Sequence, residues 1–263
     1  MSALLKRLGP KAQRGSKPRC HWLTHGTNAQ VAARLSALAA PWATVTATDR
    51  WMPGGFEDLE EARLHKRSPL LDYAISKELA AWWLPAGRQE ARTPNFDIAS
   101  TCTIDGTAGI LLIEAKAHDE ELKKEAVGKR HDVGASAASK TSHESIGKAI
   151  MEAQQGLSDA TAVTWHISRD CHYQMSNRFA WSWKLAQCGI PVVLVYLGFL
   201  NADEMADQGM AFDDHGTWEA LVRAHSAPLF PSTIWSQRWS VHHTPLIPLI
   251  RSLDQPLDPE SGP

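Results

Sequence analysis

The sequence lacks the features that identify several classes of protein. No apolar run approaches the about 20 residues of a membrane-spanning helix, and the longest run, 192–200, has the length of a strand. The N-terminus has no sustained apolar segment after its first charges, so we expect no secretory signal. Four cysteines are scattered without a CxxC pair, which favours reduced thiols and disfavours a zinc site. These absences predict a cytoplasmic protein with no membrane partner.

Other absences narrow the chemistry. The sequence shows no internal repeat with a period of about 20–50 residues, which excludes solenoids and propellers. The glycine-containing stretch 52–55 is not followed by Lys-Ser or Lys-Thr, and no GxSxG motif occurs, so neither a P-loop nor a serine nucleophile elbow is present. Hydrophobic residues make up 43% of the chain and charged residues 21%, which is the composition of a folded domain.

The charges that are present are unevenly distributed. The formal net charge is −2, but residues 1–19 hold six basic and no acidic residues. Residues 200–220 and 252–263 together hold nine acidic and no basic residues. Without these two acidic stretches, 27 basic residues face 20 acidic ones, so a nucleic-acid partner is compatible with the charge. Residues 1–19 are suited to lie along phosphates, or are a solvated tail with no role.

The spacing of apolar residues predicts alternating helices and strands. Helices are predicted from the Thr27 capping box to Pro41 and over 56–66, 68–83, 141–157 and 174–188. Strands are predicted over 96–104, 109–113, 162–167 and 191–197, and a polar, mobile stretch over 118–140. We expect most of the eleven tryptophans, including Trp235 and Trp239, to pack in the core. The predicted fold class is α/β (α+β), with a mixed central sheet flanked by helices.

A hairpin between two of these strands brings polar residues together. Asp105-Gly106 is a strong turn signal, and residues paired across an antiparallel hairpin have a constant index sum, here about 211 to 213. Asp97 is therefore expected opposite residue 114, 115 or 116. Glu114 and Lys116 are two apart, so their side chains leave the same face of their strand. We expect Asp97, Glu114 and Lys116 to converge, either as a site for Mg²⁺ or as an ion pair at a strand end.

These residues carry a resemblance to a known family. Pro94-Asn95-Phe96-Asp97, sixteen further residues, and then Ile113-Glu114-Ala115-Lys116 resemble the motif of the PD-(D/E)XK nuclease superfamily, which has the restriction-endonuclease-like fold. The similarity covers the region from about residue 68 to residue 200. It implies that Asp97 and Glu114 hold Mg²⁺ (or Mn²⁺) and that Lys116 is catalytic. It also offers Glu78 as a further metal ligand and Gln154 as a supporting residue, although each is equally compatible with a plain helix surface.

Charge, composition and the extent of the resemblance together predict five regions. They are a flexible basic arm (1–20), a helical N-terminal region (21–67), a nuclease-like core (68–200), a C-terminal extension packed on the core (201–251) and a disordered tail (252–263).

The expected function is a metal-dependent endonuclease that hydrolyses phosphodiester bonds in DNA, or else in RNA. Its biological role would be restriction, mobile-element processing or another form of defence. The alternative is a catalytically inactive nucleic-acid-binding or assembly protein of the same fold. A homodimer or a partner subunit would suit the cutting of both strands. Basic residues near the motif are expected to contact the nucleic-acid backbone, unless they form an ordinary solvated face; they are Lys123, Lys124, Lys129, Arg130 and Arg178.

Overall fold

One mixed β-sheet organises the chain, and the computed structural model describes residues 2–64, 68–84, 93–129, 134 and 136–257. The strands in these residues are β1 (Trp51–Met52), β2 (Ile98–Ile104), β3 (Thr107–Lys116), β4 (Val192–Phe199), β5 (Trp239–Val241) and β6 (Thr244–Leu253). Their order across the sheet is β1-β2-β3-β4-β6-β5. Strands β3, β4 and β6 run parallel, whereas β1, β2 and β5 pair antiparallel with their neighbours.

Helices cover both faces of this sheet, so the fold is α/β, as expected. The helices are α1 (Ser16–Leu23), α2 (Asn28–Ala39), α3 (Tyr73–Trp83), α4 (Asp119–Glu125), α5 (Ala137–Thr161), α6 (Tyr173–Gln187) and α7 (His215–Ser226). Side chains of α3, α5, α6 and α7 pack in the larger core cluster on one face. Side chains of α1 and α2 pack in a second cluster on the other face.

The apolar sequence of β3 requires packed layers on both faces of the sheet. From Gly109 to Lys116 every residue of this strand is buried. Ile110 and Leu112 belong to the larger core cluster, whereas Leu111 and Ile113 belong to the second one. Because successive side chains of a strand point to opposite faces, a continuous apolar run requires a packed layer on each side. Polar residues at the end of β3 are therefore buried as well.

Several predicted elements are confirmed. Thr27 caps α2 with a complete capping box to Gln30. The hairpin of β2 and β3 turns at Asp105 and Gly106, both of which have positive φ. Trp235 is buried, and Trp239 packs against the core with its indole nitrogen donating to a backbone carbonyl. All four cysteines are free, and no helix in the described part of the chain is long and apolar enough to cross a membrane.

Other predicted elements are wrong or shifted. Residues 56–64 form turns and isolated bridges instead of the predicted helix, and the rest of that prediction falls on residues outside the described ranges. Residues 162–167 form no strand, because Ala162 ends α5 in the left-handed conformation. Helix α5 begins after the Ser136 cap, one turn earlier than predicted, and α3 begins later, after Asp72. The stretch predicted to be mobile contains α4.

The two chain ends also differ from the flexible segments expected there. Leu5 and Leu8 are buried in a small cluster with Trp22 and Phe56. Near the C-terminus, Leu257 packs against the same cluster. The apolar residues between the N-terminal charges hold this segment against the protein through hydrophobic burial. A count of basic residues alone does not reveal this contact. The rest of the tail that was predicted to be disordered, residues 258–263, lies outside the described ranges.

Candidate active site

The hairpin register brings Asp97 to the end of β3. Ile98 pairs with Ile113, which gives an index sum of 211 and puts Asp97 opposite Glu114. The backbone N–H of Ala115 donates a 2.8 Å hydrogen bond to Oδ2 of Asp97. Asp97 is half-buried, and its carboxylate reaches the backbone of Ala115, the residue between Glu114 and Lys116 on the neighbouring strand. The expected convergence of the three residues is confirmed, at the lower limit of the predicted index sums.

Glu114 and Lys116 leave the same face of β3 and form a buried ion pair. Their exposed fractions are 1% and 4%. The ammonium Nζ of Lys116 donates to Oε1 of Glu114 at 2.5 Å. The attraction between two buried opposite charges compensates the free-energy cost of removing them from water only if their other donors and acceptors also form hydrogen bonds. The two residues therefore do form an ion pair at the strand end, but it is enclosed and not exposed.

Helix α6 supplies further hydrogen-bond donors to Glu114. Nε of Arg178 donates to Oε2 of Glu114 at 2.6 Å, and the side-chain amide of Gln174 donates to Oε1. These two residues are four apart, so they lie on one face of the helix. The guanidinium of Arg178 also lies over the ring of Phe96, 4.9 Å from its centroid. Glu114 is consequently held by cations or amide donors on both of its oxygens.

The electrostatics of the site differ from residue to residue. Burial, together with the charge of Glu114, raises the pKa of Asp97 to about 7, against smaller opposing effects from Lys116, the Ala115 N–H and Arg178. Burial alone would lower the pKa of Lys116, but the charges of Glu114 and Glu125 outweigh it and raise that pKa above its usual value. Lys116 is therefore an ammonium at neutral pH, whereas Asp97 titrates near neutrality.

The donor set of the site fits a hard divalent cation. Asp97 and Glu114 provide two carboxylates, and Mg²⁺ is commonly held by one or two carboxylates together with water and substrate phosphate oxygens. The raised pKa of Asp97 indicates that a second negative charge beside Glu114 is costly without a further cation. Within the described residues, no three Asp, Glu, His or Cys side chains form a metal-binding group. The fit therefore rests on these two carboxylates, and Glu114 must share its oxygens with Arg178 and Gln174.

Glu78 lies away from this site, contrary to what the resemblance implied. Its carboxylate is exposed, lies 3.2 Å from Nζ of Lys184, and accepts a hydrogen bond from the thiol of Cys188. Cys188 follows the end of α6, fourteen residues beyond Gln174, which corresponds to about 20 Å along the helix. Glu78 and Glu114 thus contact opposite ends of α6. The structure therefore does not bring Glu78 together with Asp97, Glu114 and Lys116.

Gln154 is also separate from the cluster of Asp97, Glu114 and Lys116. It lies on α5 and lines a surface groove together with residues 167–170. The glutamine that contacts Glu114 is Gln174, which comes from α6, the second helix after the motif. In the structure, the contact with Glu114 that was expected of Gln154 is therefore made by Gln174. The groove beside Gln154 is a surface feature of the α5 side.

The basic residues expected to bind nucleic acid have different surroundings. Lys123 is exposed but pairs with Asp119 and Glu120 at 2.8 and 2.6 Å, and Lys124 is exposed. Nζ of Lys129 lies 5.0 Å from the centroid of the Tyr173 ring. Arg130 lies outside the described residues. Arg178 is 6% exposed and pairs with Glu114, so its guanidinium is not at the surface where a nucleic-acid backbone would lie.

Two further residues extend the cluster and were not predicted. Glu125 on α4 lies 3.4 Å from Nζ of Lys116, and His225 on α7 lies 3.1 Å from Glu125. A signal for Glu125 existed in the sequence, since it follows apolar Leu122 at helical spacing, but the region was interpreted as mobile. The contribution of α7 is a long-range contact, which one-dimensional periodicity does not contain.

Comparisons with known proteins give no relative. No family model matches the chain, and neither a curated protein nor a solved structure matches it.

Proposed function

We propose that this protein is a metal-dependent nuclease that hydrolyses phosphodiester bonds, with DNA as the expected substrate. The observation that carries the proposal is the convergence of Asp97, Glu114 and Lys116 at the end of the β2–β3 hairpin. Two carboxylates and an ammonium at the end of a buried strand are expensive for the fold and suit phosphoryl chemistry. The region that carries the PD-(D/E)XK resemblance contains the hairpin, the helices that follow it and the parallel strand β4.

Each residue has a distinct role in this mechanism. Asp97 and Glu114 would hold Mg²⁺, which when bound supplies positive charge to the phosphoryl oxygens and lowers the pKa of a coordinated water. Lys116 is kept protonated by its acidic neighbours. It therefore donates a hydrogen bond to the phosphoryl oxygens, where negative charge develops, and does not accept the proton of the attacking water. Arg178 and Gln174 orient the Glu114 carboxylate.

A second candidate function rests on a specific observation. Both oxygens of Glu114 already accept hydrogen bonds from side chains of this chain, namely Lys116, Gln174 and Arg178. A buried carboxylate with these partners is also the arrangement of a structural ion network. The second candidate is therefore a catalytically inactive nucleic-acid-binding or assembly protein with the same fold.

A cleavage assay separates the two candidates. We expect the wild-type protein to cut plasmid, linear or single-stranded DNA, or RNA, in the presence of Mg²⁺ or Mn²⁺ and not in the presence of a chelator. Glu114→Ala and Lys116→Ala are each expected to lower the rate by at least about 100-fold, the loss typical of removing a principal electrostatic group. Glu78→Ala is the matched control, since this carboxylate is exposed at the far end of α6.

A thermal measurement gives an independent readout of the cation. Mg²⁺ or Mn²⁺ is expected to raise the melting temperature of the wild type and of Glu78→Ala, but not that of Asp97→Ala, because a ligand stabilises the state that binds it. Equal cleavage by the wild type, Glu114→Ala and Lys116→Ala would reject the catalytic assignment. Nucleic-acid binding without cleavage, together with no metal effect on melting, would favour the second candidate.

A further inference from the structure

A buried carboxylate that the proposed mechanism does not use lies next to the ammonium of Lys116. Oε1 of Glu125 is 3.4 Å from Nζ of Lys116, and Oε2 of Glu125 is 3.1 Å from Nε2 of His225. The side chain of Glu125 is fully buried, and those of Lys116 and His225 are 6% and 7% exposed. The three side chains form a continuous chain from the end of β3 through α4 to α7.

The buried charge of Glu125 is costly for the stability of the fold. Neither carboxylate oxygen of Glu125 has a hydrogen bond of good geometry, and its close polar neighbours are the ammonium of Lys116 and the imidazole of His225. A buried ion with imperfect hydrogen bonding destabilises a fold relative to an apolar side chain of the same size. His225 packs edge-on against the ring of His172, with 4.6 Å between the centroids, which fixes the orientation of its imidazole.

Glu114 and Glu125 both lie close to the ammonium of Lys116, but their situations differ. Glu114 is a proposed metal ligand, and its oxygens are shared among Lys116, Gln174 and Arg178. Glu125 is enclosed and comes from a separate element, so its contact with Lys116 does not depend on what Glu114 binds. Burial also keeps Glu125 away from any substrate. Its effect on the reaction must therefore pass through Lys116.

We propose that Glu125, oriented by His225, is a positioning residue that holds the ammonium of Lys116 in its catalytic place. The role of Lys116 in this inference rests on the proposed nuclease function. The inference also gives the C-terminal region a part in the site, since His225 belongs to α7. A displacement of about 1 Å of a catalytic group is enough to slow a reaction by about 100-fold, so loss of one support of Lys116 has a measurable effect.

The first test observes Lys116 directly and needs no substrate. Protein labelled with ¹⁵N-lysine reports the side-chain ammonium of Lys116 by NMR, and the signal is assigned by its loss in Lys116→Met. We expect the ammonium protons of the wild type to exchange slowly with water. Glu125→Gln and His225→Gln are expected to speed this exchange by at least about tenfold, because each loosens the buried contact. The matched controls are Glu120→Gln on α4 and His215→Gln on α7, whose side chains are exposed.

The second test measures cleavage with the same variants. Glu125→Gln and His225→Gln are expected to lower kcat by at least about tenfold and to leave KM within about twofold, because neither residue contacts the substrate. The two controls should keep wild-type kcat and KM.

The outcomes separate this inference from the proposed function. Unchanged ammonium exchange in both variants overturns the inference, as does an unchanged kcat. If both variants fail to fold, the pair serves stability alone and the inference is equally wrong. A wild type that cuts no nucleic acid rejects the nuclease function, whereas the NMR comparison still decides whether Glu125 and His225 hold Lys116.

Discussion

The carboxylates of the site face very different surroundings, although they lie within one hairpin. Glu114 receives charged donors from β3 and α6, namely Lys116 and Arg178. Asp97 instead accepts a backbone N–H bond from Ala115 and feels the negative charge of Glu114. One carboxylate is thus compensated inside the protein, whereas the other is raised in pKa and gains from an added cation. Without a bound cation, the ionised form of Asp97 is therefore the main source of electrostatic destabilisation in the site.

The pKa of Asp97 leads to a prediction about stability and pH. Because the folded-state pKa is raised to about 7, the folded protein keeps a proton that the unfolded chain loses near pH 4. The ionised group therefore destabilises the fold increasingly as the pH rises from about 4 to about 7. Asp97→Asn removes this penalty. In the presence of a chelator, we expect it to raise the melting temperature by a few degrees at about pH 8 and by less at about pH 5.

An exposed carboxylate provides the comparison for this prediction. Asp213 lies on the surface of the acidic stretch, so Asp213→Asn should change the melting temperature little and equally at both pH values. A melting temperature of Asp97→Asn that is below that of the wild type at the higher pH would contradict the raised pKa. The two variants can be compared by scanning calorimetry in matched buffers.

At the scale of elements, the hairpin was predictable because its signals are local. Alternation in β2, the Asp105-Gly106 turn and the apolar run of β3 together fixed which residues face each other, to within one step of register. The capping box at Thr27 was local in the same way. Where the local signal was ambiguous, as in the short apolar stretch 162–167, the strand prediction failed because a helix C-terminus occupies its start.

The packing of helices on the hairpin was not predictable from the sequence. The choice between Gln154 and Gln174 depends on which helix crosses the end of β3, and both helices carry a glutamine beside an apolar stripe. Glu78 was misplaced for the same reason, since α3 meets α6 at the end remote from Glu114. Such choices are settled by tertiary packing, to which a periodicity of 3.6 residues is blind.

The contact between β4 and α7 gives a prediction at this scale. A Cβ atom at Gly198 would lie 2.5 Å from the ring of Trp218, which is fully buried. Gly198 also pairs with Lys116 in the sheet, and Trp218 shares α7 with His225. Gly198→Ala is therefore expected to displace α7 and to lower the free energy of unfolding by about 1–3 kcal/mol.

Urea denaturation measures this effect. Gly9→Ala is the matched control, since a Cβ atom at Gly9 meets no atom within 4 Å. If Gly198→Ala and Gly9→Ala unfold at the same urea concentration, the close approach of α7 to β4 does not exist in solution.

For the whole molecule, the N-terminal charges and the acidic stretch at 200–220 are partners. Arg14 pairs with Asp207 and Arg19 with Glu204, each at 2.5 Å, and the guanidinium of Arg19 is almost fully buried. The backbone N–H of Gly15 also donates to Glu204. The two segments that looked like a free basic arm and an acidic periphery therefore neutralise each other in part. Removing only the acidic stretches from the charge count overstated the positive charge available for nucleic acid.

The anchoring of the N-terminus gives a prediction at the scale of the whole molecule. Leu5 and Leu8 are 1% and 3% exposed and pack with Trp22 and Phe56. Leu5→Ala and Leu8→Ala are each expected to lower the free energy of unfolding by about 2–5 kcal/mol, as for other buried leucines. Lys6→Ala is the control, because the side chain between them is exposed. Chemical denaturation that shows wild-type stability for both leucine variants would mean that this segment is loose in solution.

The strand order has a consequence for how the chain folds during synthesis. Strand β6 follows all other described strands in the sequence, yet it lies inside the sheet between β4 and β5. After translation of β4, its outer edge stays open until residue 253 has left the ribosome. An uncovered apolar edge pairs readily with strands of other chains. The interval between β4 and β6 is therefore the period when the nascent chain is most prone to aggregate and gains most from a chaperone.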